Sequence, residues 1–457
     1  MKRRCIGIAV AGLSLVVAAC TSSSDPSTTT ITAAPTEATA AVPPRQTSAE
    51  EIYEQVAPSL AFLETDIASG SGILIDTETV LTAAHVVWPY REVRVVFPNG
   101  TEVRAAPVIG ADLFGDVAIV DVSGTPNLPK PANLGDGEAM APGRPVFLVG
   151  YPGEPELFPQ PTITEGILSR TREWAAGEWT FLQSDATVVG GQSGGALVDG
   201  DGDVVGITNF SFLEEFGLSG SITDAVATVE RMRSVPGGSE FGDRLPPTGR
   251  GTEVHLLEFD NVWQEHILVF ESPLYSDVSF DASGDSDVGL TLATIDGLDV
   301  ASSDETEDGE ERIDELITYR GPHVLRVESL SGAGEIRVRS NVGLTPWPDP
   351  DDGRVLSRNS TTTGNIDYPG DYDWHRVELG RGQAVIVDVD AIAFDPILMI
   401  DGPEGLAYLR AVDDDSGGGL FGSNARIVFT ADEAGAFFVI VADGNSTGPG
   451  AYRLTID

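Results

Sequence analysis

Between residues 60 and 225 the chain is written in short β-type runs, "GILIDTETVLTA", "EVRVVF", "DVAIVDV", "PVFLVG" and "GALVDGDGDVVGIT", parted by turn residues at short intervals. No long helical period interrupts them. Successive side chains of a strand point to opposite faces, so many short strands with frequent turns must close or stack to hide their apolar side. The region is therefore expected to form antiparallel β-barrels or a sandwich. Helices are expected only at its edges. "AEEIYEQV" opens an amphipathic helix with Ser48 as N-cap before the chain turns at Pro58 into a strand, and "ITDAVATVERMRS" (222–234) closes the region.

The 457 residues leave room for two to four domains, and 71 acidic against 27 basic residues give a formal charge of -44. A surface so negative repels phosphate backbones, which excludes nucleic acid as a partner. The first twenty residues read as an export signal: a basic "MKRR", an apolar "CIGIAVAGLSLVV" too short for a comfortable span, then "VAAC". Small residues running into Cys20 resemble the bacterial lipoprotein signal, which implies cleavage before Cys20, lipid on its sulfur and an extracytoplasmic, membrane-anchored protein. An ordinary signal peptide cut nearby is the alternative. Cys5 lies in the removed segment, so on the lipoprotein reading no thiol pair remains for a disulfide. Residues 21–48 are rich in Ser, Thr, Pro and Ala, cannot bury enough surface to fold, and read as a tether.

Gly/Pro-rich breaks at 235–251 and 341–355 separate the β-rich region from two similar segments. The expected divisions are a signal (1–20), a tether (21–48), a first folded domain (49–234) and two β-sandwich units (246–340 and 353–457). The second unit resembles the bacterial pre-peptidase C-terminal domain through "GDYDWHRVEL", "DPILMIDGPEG", "DDDSGGG" and "AGAFFVIVAD"; the first matches only in outline, as a divergent copy. The resemblance implies a module that assists adhesion or secretion, with matrix or glycan as partners. Acidic loops in the two units (Asp281, Asp285 and Asp287; Asp413, Asp414 and Asp415) offer hard oxygen ligands to calcium without EF-hand spacing. A solvated acidic turn is the plainer reading of each.

In "VVGGQSGG" (188–195) one serine stands among four glycines. Glycines so dense carry an entropic cost, which a backbone that must approach a substrate closely would explain. Histidine is scarce, and His85 in "VLTAAHVV" is the one histidine before residue 235. About thirty residues on, "DLFGDVAIVDV" offers Asp112, Asp116 and Asp121, and Ser193 follows seventy-odd residues later. Amide hydrolysis at neutral pH needs a hydroxyl, an imidazole to take its proton, a carboxylate to hold the imidazole, and N–H groups facing the oxyanion.

The order His, Asp, Ser in "TAAH", "DVAIV" and "GQSGG" resembles the chymotrypsin-like serine proteases, and within them the HtrA (Deg) branch, across roughly residues 50–230. The resemblance implies an all-β double barrel, no cofactor, a protein or peptide substrate, His85 as base, Asp116 as its orienting partner and Ser193 as nucleophile. The N–H groups of Gly191 and Ser193 would form the oxyanion hole. Two departures stand out. Gln192 replaces the branch's usual Asn before the serine, and nothing after residue 235 resembles its PDZ module.

The primary pocket of such a fold is expected between Thr187, Val188 and Val189 on one side and Ser219, Gly220 and Ser221 on the other. Thr187, six residues before Ser193, stands where trypsin-like enzymes keep an aspartate. Without that charge a buried Lys or Arg would lack a partner, so cleavage after small or medium uncharged residues is expected. Asp185 is read as structural. The competing function is a catalytically idle surface protein that binds through its sandwiches.

Overall fold

The computed structural model describes residues 47–457 apart from 154–158, 175–176, 213–215, 235–244, 246–253, 305–309, 404–408, 420–421 and 445–448. Cys20 and the expected tether up to residue 46 lie outside the described residues. Ser48 caps helix α1 (Ala49–Val56): its hydroxyl accepts the Glu51 N–H at 3.2 Å, and the Glu51 carboxylate accepts the Ser48 N–H at 3.0 Å. This reciprocal box satisfies two orphan donors of the first turn and contributes about 1 kcal/mol. Ile52 and Val56, one turn apart, are buried, and Pro58 ends the helix in a short 3-10 turn.

The strands that follow are β1 (Leu60–Glu64), β2 (Ser69–Leu74), β3 (Thr79–Thr82), β4 (Glu92–Val96), β5 (Glu102–Asp112) and β6 (Val117–Asp121). They close into a barrel in the order β1-β2-β3-β6-β5-β4. A second closed barrel consists of β7 (Pro145–Gly150), β8 (Thr162–Trp174), β9 (Trp179–Ser184), β10 (Ala196–Asp199), β11 (Val204–Phe212) and β12 (Phe216–Ser221). Read from β7, its order β7-β8-β9-β12-β11-β10 repeats that of the first. Closure leaves no exposed edge and buries both faces of several strands. Leu60, Leu63, Ile73, Leu74, Val80 and Leu81 are fully buried, each contributing about 1.5–3 kcal/mol of transfer free energy. One apolar core runs continuously through residues of both barrels. Helix α3 (Ile222–Ser234) bridges them, packing on β5 and β6 of one and β11 and β12 of the other.

Two sandwiches complete the described chain. Val254–Trp347 form a four-stranded and a five-stranded sheet around one core, and Arg354–Ile456 a five-stranded and a four-stranded sheet around another. The two meet through polar and aromatic contacts. Trp347 packs on Tyr368, the Trp263 indole N–H donates to Asp401 at 2.7 Å, and the Tyr368 hydroxyl donates to buried Glu265 at 2.5 Å. Burial pushes the Glu265 carboxyl up to about 8 against the pull of Arg326. The first sandwich also docks on the segment that follows His85. Tyr90 is buried among Ile267, Val269, Ile295 and Val324, while Leu245 accepts from Arg91 Nε at 2.8 Å and donates to the Pro89 carbonyl at 3.2 Å.

Candidate active site

His85 rides on α2 (Ala84–Val87), a single helical turn after β3. One carboxylate grips it twice: Asp116 Oδ1 accepts the His85 backbone N–H at 2.9 Å, and Asp116 Oδ2 lies 2.8 Å from Nδ1. A proton on Nδ1 leaves Nε2 as the basic nitrogen. Burial by itself disfavours the imidazolium, yet the charge of Asp116 and its hydrogen bond together raise His85 above the ordinary histidine value. The carboxylate is buried while about a third of the imidazole remains open to solvent.

Asp116 sits at φ +50°, the left-handed region that side-chain-bearing residues adopt at a cost of about 1–2 kcal/mol. Its neighbours hold it there. Asp112, also buried, accepts the N–H groups of Phe114 and Gly115 at 2.9 and 3.1 Å and so ties the turn that ends in Asp116. Asn209 donates to the Asp116 carbonyl at 2.8 Å and to its Oδ2 at 3.2 Å, and accepts the Gly220 N–H at 2.7 Å. Asp121 lies at the far end of β6 and accepts Ser123 N–H at 2.8 Å. Of the three aspartates, the structure brings only Asp116 to the imidazole.

Ser193 lies on the turn before β10, and that turn is pressed against the first barrel. A Cβ built at Gly194, where φ is +80°, would stand 2.1 Å from the Ser71 carbonyl oxygen and 2.9 Å from Ala83 N, two residues before His85. Gly191 has φ +89°, and a Cβ there would meet Gly153 N at 2.3 Å. Both positions therefore need glycine on two counts, conformation and space. Because a trans peptide points its C=O and N–H in opposite directions, an anchored carbonyl aims the N–H of the next residue. The Gly190 carbonyl accepts Gly153 N–H at 2.6 Å, and the Gln192 carbonyl accepts Gly195 N–H at 2.9 Å. The N–H groups of Gly191 and Ser193 are thus aimed away from those anchors, and among the described residues neither donates to another group. Gln192 is fully buried: its Oε1 accepts Val189 N–H at 2.8 Å and its Nε2 donates to Thr162 at 3.1 Å, so the amide serves as an internal strut of the turn.

The expected pocket residues separate into two groups. Thr187 and Val189 are exposed, and Val188 is half-buried against Gly217, where a Cβ would lie 2.5 Å from its Cγ2. Ser219, Gly220 and Ser221 are buried, because β12 runs inside the sheet between β9 and β11. Ser221 Oγ accepts Thr223 N–H at 3.3 Å, and Gly220 packs on Asn209 and Trp179. The open part of the expected wall is therefore 187–189. Asp185 accepts Ile167 N–H at 2.7 Å and ties β8 to the segment leading into the turn.

The two acidic loops read as calcium candidates do not converge among the described residues. Asp281 is paired with Arg312 at 2.6 Å, and Asp413 accepts Ser416 N–H at 3.0 Å and Arg426 N–H at 2.8 Å. Asp414 and Asp415 are exposed, and Asp285 and Asp287 join no convergent group. The carboxylates that do converge are Asp349, Asp371 and Asp373, each offering an oxygen within 4.8 Å of the others. Burial, reinforced by Asp349, holds the carboxyls of Asp371 and Asp373 well above the usual range. Asp349 falls in the Gly/Pro-rich break at 341–355 and Asp371 and Asp373 in "GDYDWHRVEL", and only the fold brings the three together. Asn209 and Ser71 were missed as well. The one signal for Asn209 was an amide inside the apolar run "VVGITNF".

Two closed barrels of the same strand order, an imidazole–carboxylate pair on one and a glycine-framed serine on the other, define a chymotrypsin-like double barrel. Residues 70–207 match the family of the trypsin-like peptidase domain. Serine protease PepD of Mycobacterium tuberculosis is 35% identical over 202 residues, covering 39% of this chain and 41% of the relative. Serine protease Do-like HtrA of Bacillus subtilis is 34% identical over 163 residues, covering 33% of this chain and 35% of the relative. The chain thus spans well under half the length of these relatives. Among solved structures, a serine endoprotease from Yersinia pestis has a TM-score of 0.36 and 28% identity, covering 40% of this chain and 66% of that one.

Proposed function

We propose that the chain is an exported serine endopeptidase that hydrolyses peptide bonds through an acyl-enzyme. His85 Nε2 takes the Ser193 proton, and Ser193 Oγ attacks the scissile carbonyl. Asp116 fixes the tautomer and stabilises the imidazolium that forms. The N–H groups of Gly191 and Ser193 receive the oxyanion, each worth roughly 3–4 kcal/mol in systems of this kind. His85 then protonates the leaving amine, and water repeats the sequence in reverse. The observation that carries the reading is the double grip of Asp116 on His85, at 2.9 and 2.8 Å, beside a serine turn built of obligatory glycines. The test is fluorophosphonate labelling of the purified soluble part. Wild type should label and Ser193→Ala should not, and an unlabelled wild type would return the chain to a binding role through its sandwiches.

Cys20 carries the lipid on this reading, holding the enzyme at the extracytoplasmic face of the membrane, and the second sandwich acts as a pre-peptidase-type module that contacts matrix or glycan. Cys20→Ala should abolish metabolic palmitate labelling; equal labelling of both proteins would remove the anchor. The substrate is a protein or peptide with an uncharged residue before the scissile bond. The apolar Val188 and Val189 beside Thr187 support this, since they offer an incoming cation no counter-charge. A peptide library varied at that position checks it, and a preference for Arg or Lys would refute it.

A further inference from the structure

Ser71 has no place in the chemistry proposed above, yet both of its hydrogen-bond donors, the backbone N–H and the hydroxyl, are spent on the loop that carries Ser193. It lies on β2, fully buried, between Gly70 and Gly72. Its backbone N–H donates to the Ser193 carbonyl at 2.8 Å, and its hydroxyl donates to the Gly191 carbonyl at 2.9 Å. The same hydroxyl oxygen accepts Tyr151 N–H at 2.8 Å, and the Ser71 carbonyl accepts the Thr82 hydroxyl at 2.7 Å. Four consecutive carbonyls of the turn are therefore occupied: Gly190 by Gly153 N–H, Gly191 by the Ser71 hydroxyl, Gln192 by Gly195 N–H, and Ser193 by Ser71 N–H.

We infer that Ser71 is a positioning residue for the oxyanion hole, a clamp from the first barrel on the turn of the second. The two donor N–H groups belong to the peptides 190–191 and 192–193. The peptide between them, 191–192, sets their relative direction, and Ser71 holds its carbonyl while the Val189 carbonyl holds its N–H at 3.2 Å. Gly191 and its neighbour Gly190 can rotate freely, so without the hydroxyl nothing among the described residues anchors the Gly191 carbonyl. A turned 191–192 plane would swing the Gly191 N–H off the oxyanion. A hydroxyl is the one small group that can donate to Gly191 and accept from Tyr151 at the same point, whereas alanine can do neither. The small neighbours are required too: a Cβ at Gly70 would meet Val86 Cγ1 at 2.5 Å and the Ser193 carbonyl oxygen at 3.2 Å.

This inference rests on the protease reading, and the experiment separates the two. Fluorophosphonate labelling rate, kcat, KM and the pH dependence of kcat/KM are measured for wild type, Ser71→Ala and Ser71→Cys, with folding checked by near-UV circular dichroism. Removing an oxyanion donor outright costs about 10²–10³ in kcat, so misaligning one is expected to cost about 10–100-fold. KM should stay within about twofold, and the acid limb should keep its midpoint because His85 and Asp116 are untouched. Ser71→Cys sets a somewhat larger group with a feeble donor at the same point and should fall between the other two. Wild type that fails to label sinks the protease reading itself. Wild type that labels, with a folded Ser71→Ala or Ser71→Cys of unchanged kcat, overturns the clamp alone. A shifted acid limb or a loss confined to KM overturns it as well, and so does failure of both variants to fold, which would make Ser71 a packing residue only.

Discussion

Replacing Asn209 by Ala tests whether Asp116 depends on a neighbour that lies 93 residues away in sequence. The Asn209 amide is buried and serves four groups: the Asp116 carbonyl at 2.8 Å, Asp116 Oδ2 at 3.2 Å, the Gly115 carbonyl at 3.4 Å and Gly220 N–H at 2.7 Å. Alanine leaves the Gly220 donor and the Asp116 carbonyl buried without a partner, at about 1–3 kcal/mol each. Together they give a loss of roughly 2–6 kcal/mol, before any cavity term. For a barrel domain of this size, at about 2–4 °C per kcal/mol, that is a fall in Tm of about 4–24 °C. Activity should suffer separately, because Asp116 already occupies a strained backbone well and would lose a donor to its carboxylate. We expect kcat to drop about 10–100-fold, short of the roughly 10⁴ associated with losing the carboxylate itself. Scanning fluorimetry and steady-state hydrolysis of a peptide substrate measure the two effects. Tm is the proper stability readout, since a chain with several domains need not unfold in one step. Asn209→Asp is the sharper companion, for it keeps the acceptor facing Gly220 but sets a second carboxylate against Asp116. A variant of Asn209→Ala with the Tm and kcat of wild type would refute the argument.

Three further outcomes follow from the geometry. His85 is raised above its ordinary value, so kcat/KM should fall on the acid side with an apparent pKa above about 6.5; Asp116→Asn should move that limb to lower pH and reduce kcat by up to about 10⁴, and an unmoved limb would contradict the pairing. Stability runs in the opposite sense: the pair's contribution is complete below the unfolded histidine pKa and is lost as pH rises through the raised folded value. Burial, reinforced by the charge of Asp349, holds the Asp371 carboxyl well above the usual carboxylate range, so its contribution is present below the unfolded value of 3.8 and is lost as pH climbs toward the raised folded one. In buffer free of divalent cations, Tm should decline from pH 5 to pH 8, and Asp371→Asn should flatten that slope; an unchanged slope would count against it. Gly194→Ala must force a Cβ to within 2.1 Å of the Ser71 carbonyl oxygen at positive φ, so it should unfold the turn and abolish labelling of Ser193, and normal labelling would show that the turn is not held as described.

Local patterning carried much of this protein. Alternation and turn spacing specify the strands because burial of one pleated face repeats every second residue, and Ser48 with Glu51 specifies the start of α1 because a capping box is closed within four residues. His85 and Ser193 were legible for the same reason: scarcity of histidine and crowding of glycine are properties of composition along the chain. The choice of Asp116 over Asp112 and Asp121 came from resemblance, and the structure supplies its physical ground, since Asp112 gives one oxygen to the next turn and the other to Arg231 while Asp116 reaches a histidine 31 residues earlier. Acidic density could not decide at Asp281 and Asp413, because a run of carboxylates does not reveal whether each meets an arginine, a backbone N–H or another carboxylate. The roles of Asn209 and Ser71 were not legible in the sequence, where Asn209 showed only as an amide inside an apolar run. A buried amide or hydroxyl takes its role from its partners, and the Gly191 carbonyl that Ser71 holds is 120 residues away, brought within 2.9 Å only when two separately closed barrels pack together.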